Sequence, residues 1–213
     1  MRRDIVPGGE ARCEIVVMNS RFIADVSHAC SVDQARERIA RIKREFPDAT
    51  HHVPVYLIGH GASVIAHCHD DGEPSGTAGR PVLAVVQGSG LGDIVLVVTR
   101  YFGGTKLGTG GLVRAYGDAA RAVLQVLPRS EKVQTHSVSI AIPYALFERS
   151  RQAVAAHRGQ ITGTEFGVDA TITARFAVGD YPDFENALLE LSAGTAHARI
   201  IETATALIPI QPA

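Results

Sequence analysis

One stretch of the chain restricts its possible folds more than any other. The β-branched run Asp93–Thr99 leads directly into a segment that contains five glycines. A strand with this composition is typical of a sheet that is covered on both faces. Apolar residues at helical spacing then predict a helix from about Gly110 to Leu127. The fold must therefore place a buried strand, a loop of nearly bare backbone and a helix in direct succession.

The preceding residues contain alternating strand and helix signals. Ser31-Val32-Asp33-Gln34 has the form of a capping box, and Pro47 ends the helix that follows. Five strands, counting the run already described, and a second short helix complete the prediction for this half. Their expected positions are strands Cys13–Met18 and Arg21–Val26, strands Val53–Ile58 and Ser63–His67, and a helix from Thr77 to Gln87.

The second half of the chain has a strand-helix-strand-strand-helix-strand pattern, the order of the ferredoxin-like split unit. The predicted elements are His136–Pro143, Ala145–His157, Gln160–Phe166, Val168–Val178, Pro182–Ala193 and Arg199–Ile208. Pro128 to Lys132 is the best candidate for a boundary, which predicts domains at residues 1–130 and 131–213. We expect an α+β protein of two two-layer domains, each a sheet with two helices on one face.

Composition excludes several classes of protein. Hydrophobic residues make up 46% and charged residues 20%, which is sufficient for a packed core and excludes intrinsic disorder. The longest aliphatic run, Ile94–Val98, is far short of the roughly 18 residues of a membrane span. Pro7-Gly8-Gly9-Glu10 follows Arg2 and Arg3, which disfavours a secretory signal. Three cysteines without a Cys-x-x-Cys pair indicate a reducing, cytoplasmic location.

The glycine-rich segment is the first candidate site. Bare backbone before a helix can turn its N–H groups toward an oxyanion, and the helix N-terminus adds a favourable field. Residues 94–117 contain three basic side chains and no acidic one. The spacing fits neither a Walker A loop nor Gly-x-Gly-x-x-Gly, so phosphate binding and tight backbone packing remain as alternatives. The candidate phosphate-binding residues are Arg100, Gly103, Gly104, Lys106, Gly108, Gly110, Gly111 and Arg114.

A carboxylate-rich loop is the second candidate site. Asp70, Asp71 and Glu73 could work as paired acid and base groups. Alternatively, they order the loop by accepting backbone N–H bonds or by pairing with an arginine. His67 and His69 would share one side of a strand, a geometry that metal sites use. The sequence contains no Gly-x-Ser-x-Gly or His-Glu-x-x-His motif, and we predict no cofactor and no resident metal.

With these motifs in place, the chain resembles the IMPACT/YigZ family over roughly residues 15–130. The segments that carry the resemblance are Ser20–Ala24, Ala49–His51, Asp70–Gly79, Val97–Gly104, Lys106–Gly108 and Gly110–Tyr116. The chain departs from the family pattern at His52-Val53-Pro54, where many relatives have Asn-Cys.

The resemblance implies an N-terminal domain like the second domain of ribosomal protein S5 and a ferredoxin-like C-terminal domain similar to domain V of elongation factor G. It also implies a non-catalytic cytosolic protein that binds RNA or the ribosome and regulates translation, without a cofactor or a membrane partner. Two alternatives stay open: a hydrolase that uses Asp70, Asp71 and Glu73, and a protein-interaction module.

Overall fold

The computed structural model describes residues 4–61 and 63–210, so Arg2 and Arg3 lie outside the described residues. This part of the chain forms ten strands and five helices. In chain order they are β1 Ile5–Pro7, β2 Ala11–Val17, β3 Ser20–His28, α1 Val32–Glu45, β4 His51–Ile58, β5 Ile65–Cys68, α2 Gly79–Gly88, β6 Ile94–Tyr101, α3 Gly108–Val126, β7 Arg129–Ile142, α4 Phe147–Ala156, β8 Gln160–Phe166, β9 Ala170–Ala177, α5 Tyr181–Leu191 and β10 Ala198–Pro209. No helix within residues 4–61 and 63–210 is long and apolar enough to cross a membrane.

The first unit contains an antiparallel sheet with the strand order β2-β3-β6-β4-β5. Its central strand β6 is buried over residues 94–100, as the β-branched run predicts. One face of the sheet packs against α2 and α3 through Val55, Leu57, Ile94, Leu96 and other apolar residues. This core fixes the end of β6 and the start of α3, and these two ends border the glycine-rich loop.

Helix α1 covers the opposite face of this sheet, where Ala35 packs with Tyr56, Ile58 and Val95. The first unit therefore has three layers, and the expectation of two helices on a single face is wrong for this half. Because β4 and β6 are apolar at nearly every position, alternate residues supply both cores. Such a run does not show from periodicity alone which helix takes which face. The mixed class with two sheets is confirmed.

The second unit has the strand order β10-β7-β9-β8. A single core joins this sheet to α4 and α5, and in it the rings of Phe176 and Phe184 stack at 4.2 Å. Helices lie between β7 and β8 and between β9 and β10, so this unit has the predicted β-α-β-β-α-β order.

The chain divides into its two compact units between Glu131 and Lys132, and Ile208 onward returns to the first unit. Strand β7 runs through this point, and Arg129–Glu131 pairs with β1, a three-residue strand that the sequence analysis did not predict. The segment Pro128 to Lys132 is therefore largely paired strand rather than a free linker. The domain ranges 1–130 and 131–213 stay a prediction.

Candidate anion-binding site

Two glycines of the loop between β6 and α3, and the first residue of α3, are required by the backbone. A Cβ atom on Gly103 would overlap the carbonyl group of Asn19. Gly104 and Gly108 have φ of +84° and +70°, in the left-handed region that side chains disfavour. Tight packing thus accounts for Gly103, and turn geometry accounts for Gly104 and Gly108.

Gly110 has no such explanation. It lies in the first turn of α3, and its φ is not positive. Apart from its chain neighbours and the backbone of its own helix, no described atom lies within 4 Å of the position that its Cβ would occupy. Gly111 differs, because its Cβ would lie 3.0 Å from the Cβ of Leu107. A helical glycine without a packing role weakens the helix relative to alanine. Unobstructed approach of a ligand to the helix end is a physical reason for glycine at this position.

The N-terminus of α3 has no side-chain cap. The first N–H groups of a helix have no acceptor inside the helix, and they lie at the positive end of its dipole. Lys106, one residue before the N-cap position, has an exposed side chain. Arg114 is also exposed, and its Nε donates to the carbonyl of Gly110 at 3.4 Å. The helix start therefore combines donors, a partial positive charge and two cationic side chains.

Arg100, near the end of β6, is the third basic residue of the candidate site. It is 5% exposed, and its guanidinium donates to Glu73 Oε1 at 2.6 Å and to Ser20 Oγ at 3.3 Å. The rings of Phe22 and Phe102 lie 5.4 and 5.5 Å from its Cζ. Within the described part of the chain its Nε has no hydrogen-bond acceptor. Glu73 largely neutralises this cation, so most of the net positive charge at the site comes from Lys106, Arg114 and the helix.

Tyr116 completes a buried network with Glu73 and Arg100. Its hydroxyl donates to Glu73 Oε1 at 2.7 Å, and burial together with this hydrogen bond raises the pKa of Tyr116. The Tyr116 ring is fully buried and meets Phe22 edge-on at 5.1 Å. Glu73 thus links the carboxylate-rich loop to β6 and α3. The structure therefore places Tyr116 in the core.

Asp70 orders the carboxylate-rich loop. Its two oxygens accept from the backbone N–H groups of Gly76, Ala78 and Gly79 at 2.8, 3.2 and 2.8 Å. Burial disfavours its charged form, but the three donors outweigh burial and lower the pKa of Asp70. The carboxylate also lies at the N-terminus of α2, where it interacts favourably with the helix dipole.

Asp71 also has partners within the fold. It accepts from the backbone N–H of His52 at 2.8 Å and from Lys43 Nζ at 3.2 Å. Burial opposes its ionisation, and these contacts more than compensate, so the pKa of Asp71 is lowered. All three carboxylates of the loop thus bind groups of the protein itself.

The two histidines near this loop are not assembled into a metal cluster. His67 stacks on Tyr56 with ring centroids 4.8 Å apart. Nδ1 of His69 accepts from the backbone N–H of Asp71 at 2.9 Å. Residues 4–61 and 63–210 contain no group of three or more His, Cys, Asp or Glu side chains arranged to hold a metal ion.

A cavity of about 350 Å³ opens between the carboxylate-rich loop and the start of α3. Its lining combines buried charges, exposed polar groups and apolar side chains. The lining residues are Glu73, Pro74, Arg100, Phe102, Lys106, Leu107, Gly108, Thr109 and Leu112. Of the predicted site residues, the cavity is lined by Glu73 from the carboxylate-rich loop and by Arg100, Lys106 and Gly108 from the glycine-rich segment. The other predicted residues are not among its lining residues: Asp70, Asp71, Gly103, Gly104, Gly110, Gly111 and Arg114.

Comparison with known proteins identifies the family. The Impact N-terminal domain matches residues 18–124, a range that includes the whole site. The chain belongs to the IMPACT family. A domain of unknown function, DUF1949, matches residues 140–195 of this IMPACT-family protein. The resemblance inferred from the sequence motifs is thereby confirmed.

The similarity extends over nearly the full chain. An IMPACT family member from Haemophilus influenzae is 34% identical over 203 residues, which cover 95% of this chain and 98% of the relative. IMPACT family member YigZ from Escherichia coli is 31% identical over 199 residues, covering 93% and 98%. A crystal structure of a hypothetical protein aligns with a TM-score of 0.63 at 30% identity, covering 95% and 98%.

Proposed function

We propose that this IMPACT-family protein is a non-catalytic cytoplasmic protein that binds RNA, either free or in the ribosome, and thereby regulates translation. The observation that carries the proposal is the uncapped start of α3, which is flanked by exposed Lys106 and Arg114 and kept open by Gly110. Membership of the IMPACT family supports the link to translation, which is the role that the resemblance in the sequence implies.

In the proposed complex, a phosphate oxygen accepts from N–H groups of the first turn of α3, where the helix dipole favours an anion. Lys106 and Arg114 add charge-assisted hydrogen bonds to the same strand. The carboxylates of Asp70 and Glu73 are occupied by backbone donors and by Arg100 with Tyr116, respectively. Their engagement favours a structural role over the hydrolase alternative.

Salt-dependent titration tests the proposal. We expect Lys106→Ala and Arg114→Ala each to weaken binding of a labelled single-stranded RNA by roughly 0.5–1.5 kcal/mol, because each removes a screened phosphate contact. Each should also flatten the log–log salt dependence by about 0.7 per lost contact. Arg121→Ala is the matched control, since Arg121 is also on α3 and exposed but pairs with Asp118.

Thermal melts of the same variants separate binding from folding. Unchanged affinities and salt slopes, with a lower Tm for Lys106→Ala or Arg114→Ala, would contradict the proposal. The glycine-rich motif would then have a structural role only. Crosslinking of RNA in cells then identifies the partner, and we expect ribosomal RNA or tRNA to be enriched over background.

A further inference from the structure

The cavity beside α3 has a feature that phosphate binding does not require. Phe102, Pro74, Leu107 and Leu112 form an apolar wall next to the cationic start of the helix. A phosphate group is fully hydrated in water and gains nothing from contact with hydrocarbon. The shape and chemistry of the cavity therefore suit a ligand with an anionic part and a flat apolar part.

Phe102 presents an exposed aromatic ring on a backbone segment that is held in place. It is 47% exposed, and its backbone N–H donates to Thr50 Oγ1 at 3.0 Å. The guanidinium of Arg100 lies 5.5 Å from the ring centroid. An aromatic platform fixed in this way loses little conformational entropy when a second planar group stacks on it.

The cavity also has polar groups that can meet the edge of a planar ligand. Glu73 and Arg100 both line it, and both are buried. The Nε–H of Arg100 has no acceptor among the described residues, so the guanidinium is not fully satisfied by the protein; this atom itself is shielded from solvent. Nucleobases present both donors and acceptors on their exposed edges.

We infer that this cavity receives one unstacked base of a single-stranded nucleic acid. The base stacks on Phe102 with its edge toward Glu73 and Arg100, while its phosphate lies at the first turn of α3; this inference rests on the proposed function. A volume of about 350 Å³ lies at the lower end of the range for ligand pockets, roughly 300–1,000 Å³. A base inside a duplex is stacked on both faces and does not enter such a site.

A pair of strands of equal length and charge tests this inference. The probes are a 12-nucleotide oligoadenylate and a 12-nucleotide ribose-phosphate strand without bases, and the same oligoadenylate in a duplex serves as a third probe. We expect the wild-type protein to bind the oligoadenylate about 5- to 150-fold more tightly than the strand without bases, because one base stacks on Phe102. Phe102→Leu should leave the affinity for the duplex unchanged, because its bases are paired and stacked.

Three variants assign the preference to the aromatic ring. Phe102→Leu should remove most of the preference for bases and leave affinity for the strand without bases unchanged, whereas Phe102→Tyr should keep the preference. Lys106→Ala should weaken binding of both strands by the same factor.

Equal wild-type affinity for the two strands overturns the base-binding inference while the phosphate site stands. Absence of binding to either strand overturns the proposed function as well. Both outcomes are read on the wild-type protein and do not depend on how a variant folds.

Discussion

Substituting Gly110 by alanine should change the stability of the protein and its affinity for the ligand in opposite directions. A Cβ at this position would meet open space, and the residue is already helical. Alanine therefore should stabilise the protein, by about 0.5 kcal/mol at the low end of the helix-propensity range, because Gly110 is in the first turn. In a protein of this size, such a gain raises Tm by about 1–2 °C.

The same methyl group should weaken ligand binding. Cα–Cβ bonds in a helix tilt toward the N-terminus, so the Cβ at residue 110 points toward the end of α3 at which the phosphate is proposed to lie. Loss of one hydrogen bond to a charged group costs about 1.5–3 kcal/mol, which corresponds to a roughly 10- to 150-fold weaker affinity. The expected result is a variant that melts later and binds less.

Gly117→Ala is the matched control for this experiment. Gly117 is also in α3, and its Cβ would lie 3.4 Å from the flexible guanidinium of Arg121. It is seven residues farther along, or about 10 Å at the rise of an α-helix. Thermal melts and RNA titrations in one buffer should show a stability gain for both variants but an affinity loss only for Gly110→Ala. Wild-type affinity in Gly110→Ala would refute the argument that glycine at this position keeps the helix end open.

Three further variants test the framework around the site. Arg100→Met should destabilise the protein by about 3–5 kcal/mol in chemical denaturation, because the buried carboxylate of Glu73 loses its guanidinium partner although Tyr116 still donates to it. A loss below about 1 kcal/mol would contradict this. Asp70→Asn should lower the stability of the protein at neutral pH, and the stability difference from wild type should disappear in acid. The lowered pKa of Asp70 gives stability that is present above the unfolded pKa of about 3.9 and is lost as pH falls through the folded pKa. A stability difference that does not depend on pH would count against a role for the charge of Asp70. Gly103→Ala should lower Tm because its Cβ overlaps the carbonyl of Asn19, and an unchanged melt would show that the loop moves freely.

Elements defined by local chemistry could be predicted from the sequence. Ser31 caps α1, with its Oγ accepting from the N–H of Gln34 at 3.2 Å, and the helix ends at Glu45, just before Pro47. Strand β8 has the predicted bounds, Gln160–Phe166. Such signals are contained in a few consecutive residues. Strand β1 was missed because three residues show no period, and its pairing partner lies more than 100 positions later.

The components of the candidate site were visible in the sequence, but their connections were not. Glycines, cations and carboxylates in two uncommon motifs indicated where chemistry could lie. The pairing of Glu73 with Arg100 spans 27 positions and its hydrogen bond with Tyr116 spans 43. Contacts of this separation depend on sheet order and on which face of a strand a residue occupies. For the same reason, the third layer formed by α1 could not be predicted from apolar runs.

The contact between Gly103 and the turn joining β2 to β3 affects how quickly a ligand can bind. Ser20 Oγ accepts from the Gly103 N–H at 3.2 Å and from Arg100 at 3.3 Å, so the glycine-rich loop is attached to a hairpin tip 83 residues earlier. Because these contacts hold the loop without a ligand, we expect association to proceed as rigid docking, without a slow conformational step. Substitutions around Asn19, at the hairpin tip, should therefore alter the position of the glycine-rich loop, although these residues do not contact the ligand.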